Sequence, residues 1–378
     1  MKKMVNKGYR YRIYPTHGQA VLINKTFGCI RFIYNKMLAD RIAIYEKYKD
    51  DKESLRKQKY PQPAHYKPEY PWLREVDSLA LCNAQVDLND AYNNFFRDKS
   101  VGFPKFKSKK HDKRSYTTNN QKGSIRFIDN NTLRLPKLGD MHIKMHRQLP
   151  KDSIIKSATL SQIPTGKYYV SILVEYEIEI KKIKPQVDKV IGLDYSSSTL
   201  YVDSEANRAD YPKFYRRAEE KLKKGQRKLS RCKKGGKNYE KQRLKVAKLH
   251  EKIANQRRDY LHKKSRQIAN VYDAVVIEDI NMRNIAQGLN LAKSTNDNGY
   301  GMLKEYLAYK LADLGKELIV IDKWFPSSKL CHWCHYKNEK LTLGTREWIC
   351  NGCGQKLERD QNAAINIKNE GCRILGLA

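Results

Sequence analysis

Long apolar runs are absent from this chain of 378 residues, whose mean hydropathy is −0.77. A membrane-spanning helix needs about 18 or more consecutive apolar residues, and no stretch approaches that length. The opening segment MKKMVNKGYRYRIYP is basic but has no apolar core behind it, so we expect no secretory signal. We therefore predict a cytoplasmic protein without a membrane span.

Cysteine is too sparse for a disulfide scaffold, which would be shorter and denser in this residue. The chain has eight cysteines. Half of them form two close pairs, and the others are scattered at Cys29, Cys82, Cys232 and Cys372. This usage indicates a reducing compartment.

Acidic residues are scarce relative to basic ones, with 41 Asp and Glu against 75 Lys and Arg and a formal net charge of +34. Such an excess makes the compact state repel itself and rarely serves folding. It is typical of proteins that bind a polyanion, above all a nucleic acid.

The N-terminal part combines strands with inserted helices. Residues 9–14, YRYRIY, alternate as a strand with a basic face, and helical patterns follow within residues 17–97. Period-two alternation then runs from about residue 125 to residue 178, interrupted by turn signals at DNN and PTG. We predict a small antiparallel β-barrel with the helices inserted after its first strand.

A second unit, starting near Lys189, has the order strand, hairpin, helix, strand, helix, strand, helix. This order is typical of a mixed α/β sheet of ribonuclease H type. Three acidic positions matter in it. Asp194 closes the apolar strand KVIGLD, Glu278 interrupts VVIEDI, and Asp360 begins the last helix.

Burying a carboxylate in an apolar strand costs free energy unless the group is paired or bound to a metal. Converging carboxylates at these positions would hold Mg²⁺, which prefers oxygen ligands. Two such ions can clamp the attacking and leaving oxygens of a phosphodiester. Taken singly, Asp194 could be a turn residue and Asp360 a helix cap. Asp279, next to Glu278, points to the opposite face of the strand.

The spacing Cys331-x2-Cys334, 15 residues, Cys350-x2-Cys353 predicts a structural tetrahedral zinc site. Four thiolates leave no open position, so this zinc would fold the segment without catalysing a reaction. His332 and His335 lie beside the first pair and are alternative ligands. As an insertion between the last strand and the last helix, the segment would deliver Asp360 to the carboxylate site.

Residues 213–266 are helical by pattern and carry 22 basic against five acidic residues, with a turn at KKGGKN. Rows of Lys and Arg can follow phosphates along a groove. A solvated helical face is the alternative. The candidate contacts near the turn are Arg227, Lys228, Arg231 and Lys234, and Tyr215, Tyr239 and Tyr260 could stack on bases or belong to the core.

Several long motifs make the chain resemble TnpB, the RNA-guided nuclease of bacterial insertion sequences and a relative of the CRISPR type V effectors. They are IGLDYSSSTLYVDSEA, LSRCKKGGKNYEKQR, VVIEDINMRNI, KELIVIDKWFPSSKLCHWC and REWICNGCGQKLERDQNAAINI. The resemblance covers essentially the whole chain and is strongest from about residue 189.

The resemblance implies a fold that is α/β plus all-β. A wedge-type β-barrel (1–16 and 98–185) with an inserted helical recognition region (17–97) would precede a ribonuclease H-like (RuvC) nuclease domain (186–378). That domain would contain the basic helices 213–266 and a zinc ribbon, 328–356.

The implied activity is metal-dependent cleavage of double-stranded DNA beside a short flanking motif, guided by RNA from the right end of a transposable element. The family's catalytic Asp, Glu and Asp fall on Asp194, Glu278 and Asp360, which would bind Mg²⁺, and its zinc ligands fall on the four paired cysteines. Asn83, Tyr116 and Thr117 lie in segments that resemble its DNA-contacting regions. We expect one monomer per guide RNA, in the cytoplasm of a bacterium and associated with the nucleoid.

Two other functions fit the same fold. A nuclease-inactive RNA-guided repressor would be expected to lose at least one carboxylate, whereas this chain keeps all three. A DNA transposase would use three carboxylates but does not explain the inserted helices or the basic charge.

Overall fold

The structure, a computed structural model, describes residues 2–110, 113–288, 291–342 and 344–377. The chain forms two compact units, one of residues 2–178 and one from residue 179 onward. No helix within the described residues is long and apolar enough to cross a membrane.

The N-terminal unit contains a seven-stranded sheet. Its strands are β1 (Lys2–Tyr14), β2 (Ser115–Asn119), β3 (Arg126–Asp129), β4 (Thr132–Leu135), β5 (Gly139–Lys144), β6 (Ile154–Gln162) and β7 (Tyr168–Glu179). Their order is β2-β6-β7-β1-β5-β4-β3. The pairs β1/β5, β3/β4, β4/β5, β2/β6 and β6/β7 are antiparallel. The antiparallel sheet is confirmed, and its closure into a wedge-type barrel stays a prediction.

Helices follow β1, as the sequence pattern predicts. They are α1 (His17–Tyr48), α2 (Lys52–Lys57) and α3 (Ser78–Arg97), with short 3-10 turns at Pro63–Tyr66 and Pro71–Arg74. α1 begins with a capping box in which Thr16 accepts from the Gln19 backbone N–H and the Gln19 side chain accepts from the Thr16 N–H. Asp77 caps α3. Buried side chains of α1, α3 and the sheet share one core.

The C-terminal unit is built on a four-stranded mixed sheet. Its strands are β8 (Val190–Ser196), β9 (Leu200–Asp203), β10 (Ala274–Glu278) and β11 (Glu317–Ile321), in the order β11-β10-β8-β9. β10 runs parallel to both β8 and β11, and β9 is antiparallel to β8. The mixed α/β character is therefore confirmed.

Helices connect these strands and cover the sheet. They are α4 (Phe214–Ser230), α5 (Lys237–Val271), α6 (Met282–Gly288), α7 (Ala292–Asn298), α8 (Tyr300–Asp313) and α9 (Arg359–Ile374). Strand alternation divides β10 between two cores. Val275 and Ile277 pack with residues of α5 and α8, whereas Ala274 and Val276 pack with Ile367 of α9.

Two glycines bring α9 close to the sheet. A Cβ on Gly192 of β8 would lie 2.2 Å from the Ala364 carbonyl oxygen of α9, and a Cβ on Gly371 of α9 would lie 2.2 Å from a methyl group of Val276. Only a residue without a side chain fits at either contact. α9 therefore lies directly against the two strands that carry Asp194 and Glu278.

Gly192→Ala is expected to lower the free energy of unfolding of the C-terminal unit by about 1–3 kcal/mol, because the added methyl group collides with backbone that cannot move aside cheaply. Thermal unfolding followed by circular dichroism measures the change. Gly301→Ala is the matched control, since a Cβ there meets nothing within 4 Å. Equal melting temperatures for Gly192→Ala and the wild type would contradict the close contact.

A small ribbon precedes α9. Strands β12 (Glu347–Ile349) and β13 (Lys356–Glu358) form an antiparallel hairpin, and Leu330 bridges to Lys337 ahead of it. Among its described residues the buried hydrophobic side chains are few: Cys331, Trp348, Cys350 and Leu357. A core of this size cannot hold the ribbon together without a further cross-link.

Candidate active site and metal centre

Asp194 and Glu278 lie on adjacent parallel strands. Leu193 of β8 pairs with Ile277 of β10, so the next residues, Asp194 and Glu278, are neighbours. By alternation both belong to the face that α9 covers. Asp194 pairs with Val202 inside the hairpin, two residues before the strand ends, so the turn-residue alternative for Asp194 is wrong.

Asp360 is the second residue of α9. The helix begins after Glu358, which occupies the N-cap position, so Asp360 is not the capping residue. Its carboxylate is approached by the guanidinium groups of Arg346 at 3.5 Å and Arg208 at 3.9 Å. Arg208 also pairs with Glu358. Sequence reasoning missed both arginines, because Arg208 lies in a distant hairpin and Arg346 is separated from Asp360 by the folded ribbon hairpin.

The electrostatics of Asp194 link the three carboxylates. Burial, followed by the negative charges of Glu278 and Asp360, raises the pKa of Asp194 well above its usual value, and Arg359 opposes the shift. Burial also raises the pKa of Glu278, opposed by a hydrogen bond from Ser327. A bound cation would relieve this repulsion, which makes the site a candidate for a divalent metal.

Asp279 faces the opposite way, as strand alternation predicts. Its carboxylate accepts a hydrogen bond from Lys304 of α8 at 3.2 Å, and α8 packs on the other side of the sheet. Asp279 is thus separated from Asp194 and Asp360, although it adjoins Glu278 in sequence.

Ser327 connects the ribbon segment to the carboxylates, and it is a third residue that sequence reasoning missed. Its hydroxyl donates to Glu278 Oε1, while its carbonyl accepts from the Asn366 amide of α9 at 2.8 Å. Asn362 binds the same segment, donating to Leu330 O at 2.7 Å and accepting from His332 N–H at 3.0 Å. Both asparagines are almost fully buried.

The four paired cysteines form one cluster, as their spacing predicts. Their Sγ atoms all lie within 4.8 Å of one another, and within the described ranges no other group of three or more His, Cys, Asp or Glu does so. The Cys331–Cys353 and Cys334–Cys350 Sγ distances are 3.7 and 3.5 Å. These distances are longer than the S–S bond of a disulfide. They approach the roughly 3.8 Å S–S separation along the edge of a tetrahedron with Zn–S bonds of about 2.3 Å.

The two halves of the cluster repeat one backbone turn. The His335 N–H bonds to Cys331 O at 3.0 Å, and the Gly354 N–H bonds to Cys350 O at 2.8 Å. Both residues have positive φ angles. His332 is engaged with Asn362 instead of the thiols. The cluster therefore fits zinc through thiolates, without either histidine.

The basic helices present the predicted candidates to solvent. Arg227, Lys228 and Arg231 line an open groove along α4 together with further lysines, and Lys234 is exposed in the turn before α5. Tyr260 packs against Tyr211, with ring centroids 5.4 Å apart, and belongs to the core.

The predicted N-terminal contacts share one cleft. Asn83, Tyr116 and Thr117 line it together with Lys107 and Lys113. Tyr116 is buried there, and Thr117 shares a hydrogen bond with Thr159 at 2.8 Å. The cleft lies between α3 and β2 within the N-terminal unit, and its role in DNA contact stays a prediction.

Three family models match parts of the chain. A model described as a helix-turn-helix domain matches residues 1–50, one described as a probable transposase matches 171–288, and a Cas12f1-like TNB domain matches 300–367. The described part of the first segment is one strand followed by one unbroken helix, which differs from a helix-turn-helix.

A Streptomyces pristinaespiralis protein named "Putative RNA-guided DNA endonuclease" is 36% identical to this chain over 374 residues, covering 98% of the chain and 90% of that protein. The chain belongs to the RNA-guided DNA endonuclease family. An Escherichia coli member, InsQ, is 28% identical over 400 residues, covering 99% of the chain and 94% of the relative. The predicted resemblance to TnpB is thereby confirmed.

This RNA-guided DNA endonuclease family member also matches a solved structure. A protein chain in the cryo-EM structure of a Cas12f1–sgRNA–target DNA complex superposes with a TM-score of 0.63, covering 97% of this chain and 99% of that one, at 14% identity. This match shows a common fold.

Proposed function

We propose that this family member is an RNA-guided DNA endonuclease of a mobile element, which cuts phosphodiesters of double-stranded DNA beside a short flanking motif. The observation that carries the proposal is that Asp194 and Glu278 are neighbours on the face of the sheet that α9 covers, while Asp360 is the second residue of that helix. The nuclease would be of ribonuclease H (RuvC) type, with the ribbon inserted before α9.

The three carboxylates would hold two Mg²⁺ ions. When bound, such ions neutralise the phosphate and lower the pKa of an attacking water. Asp194 and Glu278 are fixed by strand pairing, and Asp360 is positioned by the packing of α9 on Gly192. Ser327 orients Glu278, and the thiolate cluster would hold a structural zinc.

The nucleic-acid partners follow from charge and family. We infer a guide RNA from the element's right end, bound in part by the exposed Lys and Arg side chains of α4. The N-terminal unit would contact a target duplex at the cleft lined by Asn83, Tyr116 and Thr117. One monomer per guide RNA in the bacterial cytoplasm, near the nucleoid, completes the proposal.

Plasmid cleavage by the chain co-expressed with its right-end RNA tests the proposal. A linear product that requires Mg²⁺, the RNA and a matching target is expected. Binding that needs the RNA but produces no cut would favour the repressor. Strand transfer without RNA would favour a transposase, the description of the model that matches residues 171–288.

Ser327→Ala is expected to move the pH dependence of cleavage upward. The Ser327 hydrogen bond lowers the pKa of Glu278, so its loss raises that pKa and leaves less carboxylate to bind metal at a given pH. Initial cleavage rates measured against pH should show the acidic limb of the Ser327→Ala profile displaced to higher pH. At high pH the rate of the variant should approach the wild-type plateau.

Ser328→Ala is the matched control, since it removes a hydroxyl one residue further along the same turn. It should retain the wild-type profile. A Ser327→Ala rate lowered equally at every pH would contradict a role through the charge of Glu278.

A further inference from the structure

Two tryptophan side chains of the C-terminal unit face solvent. Trp324 is 80% exposed and Trp333 is 67% exposed, whereas Trp348 of the same ribbon is buried. Indole is among the largest apolar side chains, and most are largely buried in folded proteins. Exposed aromatic surface of this kind often marks a binding site.

Both tryptophans are attached to the carboxylate site by short, hydrogen-bonded segments. Trp324 lies three residues before Ser327, whose hydroxyl donates a hydrogen bond to Glu278. The backbone N–H of Trp324 donates to Asp322 Oδ1 at 2.7 Å. At up to about 3.5 Å per residue, the Trp324 backbone is within roughly 10 Å of that of Ser327.

Trp333 stands between Cys331 and Cys334 at the first turn of the cluster. The preceding residue, His332, donates its N–H to Asn362, which follows Asp360 by two residues on α9. The two exposed indoles are therefore tied to the elements that carry Glu278 and Asp360, respectively.

Charge identifies the occupant of this surface. Lys323 Nζ lies 5.0 Å from the Trp324 ring centroid. Aromatic faces beside cations are the combination that binds single-stranded nucleic acid, since bases stack on the rings and phosphates pair with the cations. A duplex covers its base faces and could not use the indoles.

We propose that Trp324 and Trp333 are base-stacking residues that hold single-stranded DNA beside the carboxylates. This inference rests on the proposed function, because a strand separated from its complement is the substrate that such stacking would steer into a nuclease site. Stacking also accepts any base, which suits an enzyme whose target is chosen by a guide.

Oligonucleotide binding tests the inference. The chain with its guide RNA is mixed, without added Mg²⁺ and at elevated salt, with a fluorescent oligothymidylate or with an abasic oligonucleotide of equal length and charge. The wild type should bind the thymidylate more tightly. Trp324→Ala and Trp333→Ala should each reduce this preference by roughly ten-fold, because a base stacked on an aromatic ring contributes substantially to affinity.

Matched variants separate stacking from bulk and folding. Ile349→Ala removes an exposed apolar side chain from the same ribbon and should keep the preference. Trp324→Tyr and Trp333→Tyr retain an aromatic face and should keep most of it, whereas Trp→Leu should not. Zinc content and the thermal unfolding curve show whether each variant folds.

Equal binding of the two oligonucleotides by the wild type, or an unchanged preference in both Trp→Ala variants, would overturn the inference. Cleavage by the wild type is scored separately in Mg²⁺. A wild type that cuts while the variants keep their base preference refutes only the stacking role. A wild type that prefers bases without cutting refutes only the endonuclease.

Discussion

Asp194→Asn is expected to abolish guided cleavage, lowering the rate by roughly a thousand-fold or more, because one of three anionic metal ligands is lost while shape is kept. Asp194 is the appropriate target since its charge is the one most affected by the other two carboxylates. Single-turnover plasmid cleavage in Mg²⁺ measures the change.

The same substitution should stabilise the metal-free fold. The pKa of Asp194 is raised in the folded state, so its negative charge opposes folding at any pH above its unfolded value of about 3.9. Without added Mg²⁺ at neutral pH, Asp194→Asn should therefore melt at a higher temperature than the wild type. The difference should vanish below about pH 4, where the carboxyl is protonated in both states.

Asp279→Asn provides the matched control for both measurements. It neutralises an acid adjacent in sequence to Glu278 but on the opposite face, where it pairs with Lys304. Cleavage should persist in this variant. An Asp194→Asn enzyme that cuts at the wild-type rate, or an Asp279→Asn enzyme that does not cut, would show that the site has been assigned to the wrong face of the sheet.

Cys350→Ser is expected to release the zinc and to reduce cleavage by roughly a hundred-fold or more. Structural zinc contributes about 10–16 kcal/mol of apparent binding free energy in small domains. Besides two of the cysteines of the cluster, the buried hydrophobic core of this ribbon contains, among its described residues, only Trp348 and Leu357. Its collapse would free the segment that runs from Ser327 to the N-terminus of α9. Metal analysis per chain and limited proteolysis between residues 331 and 353 report the loss.

Cys232→Ser tests whether any lost thiol has this effect. Cys232 lies outside the cluster, and its Sγ contacts Lys228 O at 3.2 Å, a bond that serine can keep. This variant should retain both zinc and activity. Cys350→His offers a fourth zinc ligand of another type and should restore part of the zinc content. Full cleavage by zinc-free Cys350→Ser would mean that the ribbon does not support the nuclease site.

Local pattern was sufficient for the elements that carry the site. The apolar runs around Leu193 and Ile277 predicted two strands, and the cysteine spacing predicted the cluster, because each of these signals is contained in one short stretch of sequence. Strand alternation was enough to separate Glu278 from Asp279 by face.

Contacts between distant segments could not be predicted in this way. Arg208 and Arg346 meet at Asp360 only after the hairpin and the ribbon have packed, and Ser327 reaches Glu278 across 49 positions of sequence. Strand β2, SYTTN, was also missed, because it lies ahead of the alternating stretch that begins at about residue 125. Within that stretch β6, IIKSATLSQ, alternates only weakly in hydrophobicity.

The position of α9 has a consequence for how the protein is made. Asp360 follows every strand of the sheet in the order of synthesis, and its helix packs on β8 in close backbone contact at Gly192. A ribosome that has already released the basic helices and two of the carboxylates has therefore not yet produced a complete catalytic set. Nascent or prematurely terminated chains could engage RNA, but they would be harmless to the host chromosome until translation has passed residue 360.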